Sequence, residues 1–279
     1  MSDAGTPQPT GGSDLTTRFA AGVVMIVIAC FAIYFGGWPF RLLVLVAAGA
    51  MLVEWGDMHR VNRLWTWIAV ALLIVPILIL AERFFPAGEA QPAALDLDSL
   101  APVGIAIGIT AAIGLVLGAV SRRLAVGWGF LYVAIPSLAL VVLNWAWFEL
   151  VFWLMLVTWS TDIFAYFAGR GIGGPKLAPR ISPNKTWAGL VGGMAGAAIV
   201  GALAAWLLDI GAPFLFLGAA MGLIAQLGDL YESWVKRRCG VKDSSALIPG
   251  HGGVLDRLDG LLPVIVATLI VLVAALALA

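Results

Sequence analysis

Long apolar runs, separated by short polar segments, follow one another along almost the whole chain. A membrane-spanning helix needs about 20 predominantly apolar residues, and about nine runs of roughly this length occur. The pattern predicts an all-α protein, a polytopic transmembrane helical bundle of about nine spans. The runs are Phe19–Gly36, Pro39–Trp55, Leu64–Ala81, Pro102–Val120, Gly127–Leu143, Glu149–Ala168, Trp187–Leu208, Pro213–Trp234 and Leu261–Leu278.

Composition agrees with a membrane protein. Hydrophobic residues make up 62% and charged residues 11% of the 279 residues, whereas soluble domains contain roughly 45–50% and about 25%. A soluble domain of this size could not cover its surface with so few charges, so we expect the bilayer to be the main solvent. The formal net charge is zero, and this total says nothing about partners. We expect no nucleic-acid partner. The sequence leaves open whether the chain forms a homodimer.

The distribution of basic residues predicts the orientation in the membrane. If the N-terminus is cytoplasmic, all sixteen Lys and Arg residues except Arg41 and Arg83 fall on the inner side. Cytoplasmic loops carry such an excess of Lys and Arg. The acidic loop 82–101 then lies outside. We therefore expect a multi-pass protein of the bacterial cytoplasmic (inner) membrane with its N-terminus inside.

Three regions follow from the polarity of the chain. Residues 1–17 are polar and rich in small residues, which predicts a disordered tail. Residues 18–157 form the N-terminal transmembrane helices, in which only hydropathy is informative. Residues 158–279 form a C-terminal transmembrane region with two long polar loops on the predicted cytoplasmic side, 169–186 and 235–257. We expect the catalytic chemistry in these loops.

The eighth span ends with several polar residues on one side of the helix. Gln226, Asp229 and Ser233 share one helical face. A charged side chain inside the bilayer costs at least about 2.5–3.5 kcal/mol, so such residues usually face a cavity or an ion. The alternative is that Asp229 lies near the membrane surface and is hydrated. Glu232 lies beside this face, and we expect its charge to matter less.

The loop that follows this span combines basic residues, carboxylates and glycines. Positive-inside topology and turns would explain the basic residues but not the interspersed carboxylates. Proteins hold Mg²⁺ through one or two carboxylates and substrate phosphate oxygens, and Lys and Arg suit the phosphates. We expect His251 to be a hydrogen-bonding turn residue or a phosphate contact rather than a general base. The candidates are Lys236, Arg237, Lys242, Asp243, His251, Gly252, Gly253, Asp256, Arg257 and Asp259.

A second polar cluster joins the sixth and seventh spans. Asp162 shares a helical face with Thr158 and Tyr166. The turn Ser182–Thr186 opens the next helix, and its Ser, Lys and Thr side chains suit an anion at a helix N-terminus. The alternative is an ordinary helix cap, with Lys185 reaching toward the membrane surface.

Closely spaced glycines mark the seventh span. Small residues at a spacing of four allow two helix backbones to approach each other within a membrane. We therefore interpret these glycines as packing residues without a chemical role. They are Gly189, Gly192, Gly193 and Gly196.

The segment from Ser233 to Asp259 is similar, over 27 residues without a gap, to the signature of the phosphatidate cytidylyltransferase family, the CDP-diglyceride synthases. Two further stretches, Asp162–Thr186 and Gln226–Asp229, resemble the same family. The resemblance implies a multi-span enzyme with a divalent cation, Mg²⁺ or Mn²⁺, whose ligands are Asp229 and Asp256. It also implies CTP and phosphatidic acid as substrates and CDP-diacylglycerol, for phospholipid biosynthesis, as product.

The resemblance also guides the assignment of roles. The phosphate of phosphatidic acid would attack the α-phosphorus of CTP and is already anionic, so the site must mainly neutralise charge and position the substrates. We expect this site to face the cytoplasm, where CTP is found. Asp162, Asp243 and Asp259 are kept as further candidates for metal binding or orientation. The candidate catalytic residues are Asp229, Asp256, Lys242, Asp243 and Arg257. The candidate substrate-binding residues are Ser182, Lys185, Thr186, Ser233, Lys236, Arg237, His251, Gly252, Gly253 and Asp259.

Two other classes of protein also place carboxylates within a membrane. A transporter is expected to show internal repeats and broken helices at the midplane, whereas no repeat is visible and the polar residues cluster toward one side. Another metal-dependent lipid phosphotransferase, of the CDP-alcohol type, is expected to carry an Asp-x-x-Asp-Gly-x-x-Ala-Arg pattern, which the sequence lacks. Both remain as alternatives to the cytidylyltransferase.

Overall fold

Helices dominate the computed structural model, which describes residues 11–86, 97–248 and 252–278. A segment of π-helix, Val75–Leu80, lies between α3 and α4. The helices are α1 (Gly11–Phe35), α2 (Gly37–Met58), α3 (Arg63–Leu72), α4 (Ala81–Phe84), α5 (Leu97–Ser121), α6 (Leu124–Ala146), α7 (Phe148–Gly171), α8 (Trp187–Leu207), α9 (Phe214–Cys239), α10 (Leu255–Leu258) and α11 (Leu261–Leu278).

The membrane character of the fold is confirmed. Within the described residues, 7 helical units are long and apolar enough to cross a bilayer: α2, the continuous unit from α3 to α4, and α5 to α9. The apolar parts of α1 and α11, Gly22–Phe35 and Leu261–Ala277, are shorter. The chain is thus a polytopic helical bundle, while the count of nine spans and the position of the N-terminus stay predictions.

The third predicted span, Leu64–Ala81, is helical but not uniform. The helix α3 ends at Leu72, and the π-helical segment Val75–Leu80 contains Pro76 near its start. Proline has no backbone N–H to donate to the preceding turn. A π-bulge widens that turn by one residue, and the helical direction continues from Arg63 to Phe84.

The predicted boundaries shift at the polar ends of the helices. Helix α1 begins at Gly11, so residues 11–17 of the predicted disordered tail are helical, while residues 1–10 lie outside the described residues. Helix α7 continues to Gly171 and α9 to Cys239, which shortens both predicted loops. Hydropathy locates the edge of the apolar segment, whereas a helix can continue beyond that edge into water.

The first predicted cytoplasmic loop, 169–186, contains a β-hairpin that the sequence did not predict. Strands β1 (Lys176–Ala178) and β2 (Ser182–Thr186) pair antiparallel, with Lys176 opposite Thr186 and Ala178 opposite Ser182. Gly173 and Gly174 precede the hairpin with positive φ angles of 69° and 93°. Glycine adopts this region without a steric penalty, so the chain can turn sharply from α7 into β1.

The glycines of α8 bring three helices into close contact, which confirms the packing interpretation. A Cβ atom at Gly192 would lie 2.2 Å from the Cβ of Ala168, and one at Gly196 would lie 2.3 Å from the ring of Phe164. Both neighbours belong to α7. On the α9 side, a Cβ at Gly193 would lie 2.5 Å from Nε2 of Gln226. Helices α7, α8 and α9 therefore form a tight unit that carries most of the candidate site.

A contact between distant segments brings two basic turns together at one end of the bundle. Nη1 of Arg123 donates to the carbonyl oxygen of Arg60 at 3.1 Å, which joins the turn after α2 to the turn after α5. Arg41, near the opposite end of α2, donates instead to the carboxylate of Glu82 and the carbonyl of Phe85. Arg41 and the joined turns thus lie near opposite ends of α2, while the side of the membrane on which each lies stays a prediction.

Candidate active site

A cavity of about 350 Å³ lies at one end of the bundle around Arg41, and a larger one of about 620 Å³ opens between α7, β2, α8 and α9. The larger cavity holds residues from both sequence clusters. Asp162 comes from α7, Lys185 and Thr186 from the hairpin, and Gln226 and Asp229 from α9. The structure thus brings the two sequence clusters to one site, in which Lys185 contacts Gln226, 41 residues further along the chain.

Asp229 and Lys185 form the central ion pair of this cavity. Nζ of Lys185 lies 2.7 Å from Oδ2 of Asp229 and 3.4 Å from the carbonyl oxygen of Gln226. Oγ of Ser233 donates to Oδ1 of Asp229 at 3.2 Å. Lys185 therefore reaches inward to α9 and not to the membrane surface, and two residues of the predicted polar face of α9, Asp229 and Ser233, contact each other.

Other charged residues surround this pair. Asp162 lies within electrostatic range of Asp229, Asp259, Lys185 and Arg257. Burial raises the pKa of Asp259 well above its usual range, and the negative charges of Asp229 and Glu232 raise it further. The carboxylates of Asp229, Glu232 and Asp259 are close enough to repel one another. Such a group favours the binding of a proton or a cation.

Asp256 lies in a separate and more enclosed arrangement. Its Oδ1 accepts a hydrogen bond from Nζ of Lys236 at 2.6 Å. Its Oδ2 accepts from the backbone N–H groups of Gly253, at 2.8 Å, and Ser244, at 2.9 Å, and from the Ser244 hydroxyl at 2.9 Å. Burial raises the pKa of Asp256, but Lys236 and these two N–H groups outweigh burial and hold the pKa below its usual value.

The two carboxylates predicted to share a metal therefore each have a lysine of their own. Lys185 pairs with Asp229 and Lys236 with Asp256. The Asp229 side chain is 35% exposed, whereas the Asp256 side chain is 6% exposed. Asp229 is thus the more accessible of the two from the cavity, and Asp256 is the more strongly fixed by the surrounding loop.

Three further predicted substrate-binding residues lie in the hairpin and at the end of α9. Ser182 is partly buried at the start of β2. Oγ1 of Thr186 accepts a hydrogen bond from the N–H of Gly189 at 3.0 Å, so this side chain caps α8 as the alternative interpretation expected. Arg237 donates to the carbonyl oxygens of Ile181 and Val241, at 3.3 and 3.1 Å, and so ties the hairpin to α9.

The remaining predicted residues lie on the loop after α9. Lys242, Asp243 and Arg257 are exposed, and Arg257 is within electrostatic range of Asp162. Gly252 has a φ of 82°, and a Cβ there would lie 2.8 Å from Oδ2 of Asp256. The prediction for His251 lies outside the described residues.

Two buried carboxylates near the site, Glu232 and Glu54, were not predicted from the sequence to be important. Glu232 has a fully buried side chain, and its Oε2 lies 3.2 Å from Nζ of Lys236. Glu54, on α2, is 3% exposed and contacts the loop that carries Asp256. An acidic residue within an otherwise apolar run was the available signal for Glu54, because such a residue usually has a specific partner.

The oxygen ligands of this region suit a hard cation. Among the described residues, Oε1 of Glu232 is buried without a hydrogen-bond partner, close to the carboxylate of Asp259. No set of three or more His, Cys, Asp or Glu side chains in the described part of the chain is arranged to hold a metal ion. Mg²⁺ commonly uses only one or two carboxylates and completes its shell with substrate phosphates and water, so the chemistry of these side chains fits that ion.

These features define an integral membrane protein with acidic and basic groups around an open cavity, an arrangement suited to phosphorylated substrates. The model of the Cytidylyltransferase family matches residues 16–275, and the chain belongs to this family. The resemblance seen in the sequence is thereby confirmed, and it extends well beyond the signature segment.

Individual relatives match along most of their length. The phosphatidate cytidylyltransferase of Brucella abortus biovar 1 (strain 9-941) is 38% identical over 266 residues, which cover 89% of this chain and 90% of that protein. That of Bacillus subtilis (strain 168) is 30% identical over 258 residues, covering 89% and 94%. That of Rickettsia bellii (strain RML369-C) is 29% identical over 259 residues, covering 90% and 87%.

Proposed function

We propose that this protein transfers the cytidylyl group of CTP to phosphatidic acid, giving CDP-diacylglycerol and pyrophosphate for phospholipid biosynthesis. The family and the names of the relatives support this activity. The structural observation that carries the proposal is the cavity in which Lys185 and Asp229 meet at the polar end of three packed membrane helices. The same comparisons give no support to a transporter or to a lipid phosphotransferase of another type.

The geometry suits a reaction between two polyanions. We assign Lys185, Lys236 and Arg257 to the phosphate oxygens. The two lysines lie beside Asp229 and Asp256, and Arg257 is within electrostatic range of Asp162, which supports this assignment. Phosphoryl transfer depends mainly on positioning and on neutralising the charge of the transition state. A lipid phosphate is already anionic near neutral pH, so its attack on the α-phosphorus of CTP requires no dedicated base, and pyrophosphate leaves.

A divalent cation, Mg²⁺ or Mn²⁺, belongs to this proposal. Asp229 and Asp256 would hold the ion, which would supply positive charge to the phosphates when bound. Asp229 offers the more exposed carboxylate, and Asp162 and Asp259, which lie within electrostatic range of it, would be further candidate oxygen ligands. The low pKa of Asp256 keeps that carboxylate ionised.

The location of the reaction follows from the sidedness of the chain. We place the cavity and the loop after α9 at the cytoplasmic face of the bacterial inner membrane, because the basic residues concentrate there. Phosphatidic acid presents its phosphate at the same surface, and CTP is cytosolic. A soluble and a membrane-bound substrate can therefore meet at the polar ends of α7 and α9.

The direct test is an assay of the purified full chain in mixed micelles. Labelled CTP is incubated with phosphatidic acid and Mg²⁺, and the lipid and pyrophosphate products are quantified. We expect CDP-diacylglycerol and pyrophosphate in equal amounts, dependent on both the lipid and the cation, and lower turnover with ATP or GTP. Absence of a lipid product, or equal turnover of all three nucleotides, would contradict the proposed function.

A further inference from the structure

The carboxylate of Glu54 lies buried between α2 and the loop that follows α9. We call residues 241–255 the signature loop; its residues 249–251 lie outside the described part of the chain. Glu54 lies near the end of α2, one turn before Met58. It contacts Ser244, 190 residues away in sequence. An N-terminal membrane helix is thus joined directly to the segment that carries the family signature.

Four donors of the signature loop converge on this one carboxylate. Oε1 accepts from the Ser245 hydroxyl and from the Val254 N–H, both at 2.8 Å. Oε2 accepts from the Leu255 N–H at 2.8 Å and lies 3.0 Å from the Ser244 hydroxyl, whose single proton it shares with Oδ2 of Asp256. Each oxygen therefore serves one donor from the beginning of the loop and one from its end. The carboxylate thus holds the two ends of the signature loop together, and we call this set of hydrogen bonds the Glu54 clamp.

A carboxylic side chain satisfies this arrangement better than an amide does. A carboxylate accepts at both oxygens, whereas an amide presents an N–H₂ group that can only donate. In a glutamine at position 54, the side-chain N–H₂ group would replace one of the two oxygens and would face hydrogen-bond donors of the loop. Buried donors that lose their acceptor are left unsatisfied. This arrangement accounts for an acidic residue of only 3% exposure that directly follows the apolar stretch 42–53 of α2.

The Glu54 clamp is tightly packed, and Ser244 connects it to Asp256. A Cβ on Gly253 would lie 2.0 Å from Oγ of Ser244 and 2.6 Å from both carboxylate oxygens of Glu54. Glycine is thus required at 253 for the close approach of Glu54. Ser244 lies between the two acids, because its Oγ is 3.0 Å from Glu54 and 2.9 Å from Oδ2 of Asp256.

We propose that Glu54 is a positioning residue for the cytidylyl transfer: it holds both ends of the signature loop and thereby fixes the Asp256 carboxylate. Glu54 acts through Ser244 and the loop backbone and touches neither substrate. The assignment rests on the proposed function for its effect on rate. Its effect on the loop is independent of that function, and the two can be measured separately.

The test compares Glu54→Gln with Asp57→Asn in the purified full chain. Asp57 is exposed and lies three residues further along α2, so the control removes the same charge from the same helix. Residues that orient ligands typically change activity by about 10–100-fold when replaced. We expect such a loss of kcat in Glu54→Gln, with a smaller change in KM for CTP, and wild-type kinetics in Asp57→Asn.

Limited trypsin digestion supplies a measurement that needs no activity. We expect cleavage after Lys242 to be faster in Glu54→Gln than in the wild type, while thermal unfolding of the membrane helices changes little. Wild-type protection of Lys242 in Glu54→Gln would overturn the proposal, and so would a loss of rate without release of the loop. An inactive wild type would contradict the proposed function, while the digestion would still test the clamp.

A milder variant covers the case in which Glu54→Gln does not fold. Ser245→Ala removes one of the four donors, the hydroxyl that bonds Oε1 of Glu54 at 2.8 Å. We expect the same two changes at reduced size, namely faster cleavage after Lys242 and lower kcat. If Ser245→Ala matched Asp57→Asn in both measurements, the positioning role of Glu54 would be wrong.

Discussion

Nζ of Lys185, on the strand before α8, lies 2.7 Å from Oδ2 of Asp229 within α9. Both side chains are partly exposed, at 19% and 35%, and pairs of this kind contribute only about 0–1 kcal/mol to stability. The pair is therefore better suited to binding than to holding the fold together. It places a positive charge beside the cavity while a carboxylate orients it.

The first prediction concerns Lys185→Met. A hydrogen bond to a charged group contributes about 1.5–3 kcal/mol, so we expect kcat/KM for CTP to fall by about tenfold or more. The unfolding temperature should change little, because the pair is screened by solvent. Steady-state kinetics and thermal unfolding measure both quantities. Arg180→Gln is the matched control, since Arg180 is exposed in the same hairpin; an equal loss in both variants would contradict a specific role for Lys185.

The positions of the helices and one face of α9 were predictable, because both depend on local patterns. Apolar runs of sufficient length mark the membrane helices, and helical periodicity places Asp229 and Ser233 on one side, where they form a hydrogen bond. The resemblance to a family added the loop residues. Each of these inferences uses residues that are close together in sequence.

The partners of these residues were not predictable in the same way. Lys185 reaches Asp229, and Glu54 reaches Ser244, only because helices distant in sequence pack side by side. No local pattern specifies which helices are neighbours. The hairpin was missed for another reason: its strands have three and five residues and include Pro183, too short and irregular for a detectable alternation of polar and apolar residues.

The second prediction concerns the topology. In the nine-span arrangement with the N-terminus inside, reporter fusions after Ala279 and near Gln91 should both report the outer side. A fusion after Gly240, just beyond the end of α9, should report the cytoplasm. The enzymatic reporters alkaline phosphatase and β-galactosidase distinguish the two sides. A cytoplasmic signal after Ala279 would show that α1 or α11 does not cross the membrane as predicted.

The third prediction concerns Glu232→Gln, at a position where the charge was expected to matter less. The buried carboxylate of Glu232 shares Lys236 with Asp256, and in the described residues its Oε1 has no hydrogen-bond partner. An amide keeps the shape and removes a buried charge, so we expect an unfolding temperature equal to or above that of the wild type. Activity should fall by about tenfold, as for residues that orient others, because Lys236 loses one of its two carboxylates.

Glu149→Gln is the matched control for this variant. Glu149, in the first turn of α7, also has one buried carboxylate oxygen without a partner among the described residues. It lies far along the helix from Asp162 and the cavity. We expect a similar change in unfolding temperature and no change in kcat. If Glu232→Gln also kept the wild-type kcat, Lys236 would not depend on Glu232 for its position.

The last prediction separates the two carboxylates proposed to hold the cation. Asp229→Asn and Asp256→Asn each remove a negative charge, and we expect kcat to fall more than about a hundredfold in both, at roughly 1.4 kcal/mol for each tenfold. The surroundings of Asp229 and Asp256 differ, so the two variants should differ in their Mg²⁺ requirement and in the protection of the signature loop. Asp229 is partly exposed and bonded only to Lys185 and Ser233 in the described structure; its variant should fold normally and require more Mg²⁺ for half-maximal activity.

Asp256 accepts from Lys236, Gly253 and Ser244, and an asparagine there would turn an N–H₂ group toward one of these donors. We therefore expect Asp256→Asn to release the signature loop to trypsin after Lys242, which Asp229→Asn should not do. A Mg²⁺ titration and the digestion pattern, measured on the same two preparations, distinguish the roles. Near-normal Mg²⁺-dependent activity in both folded variants would require the cation to bind elsewhere, and Asp162 and Asp259, which lie in electrostatic range of each other, would then be the carboxylates to replace next.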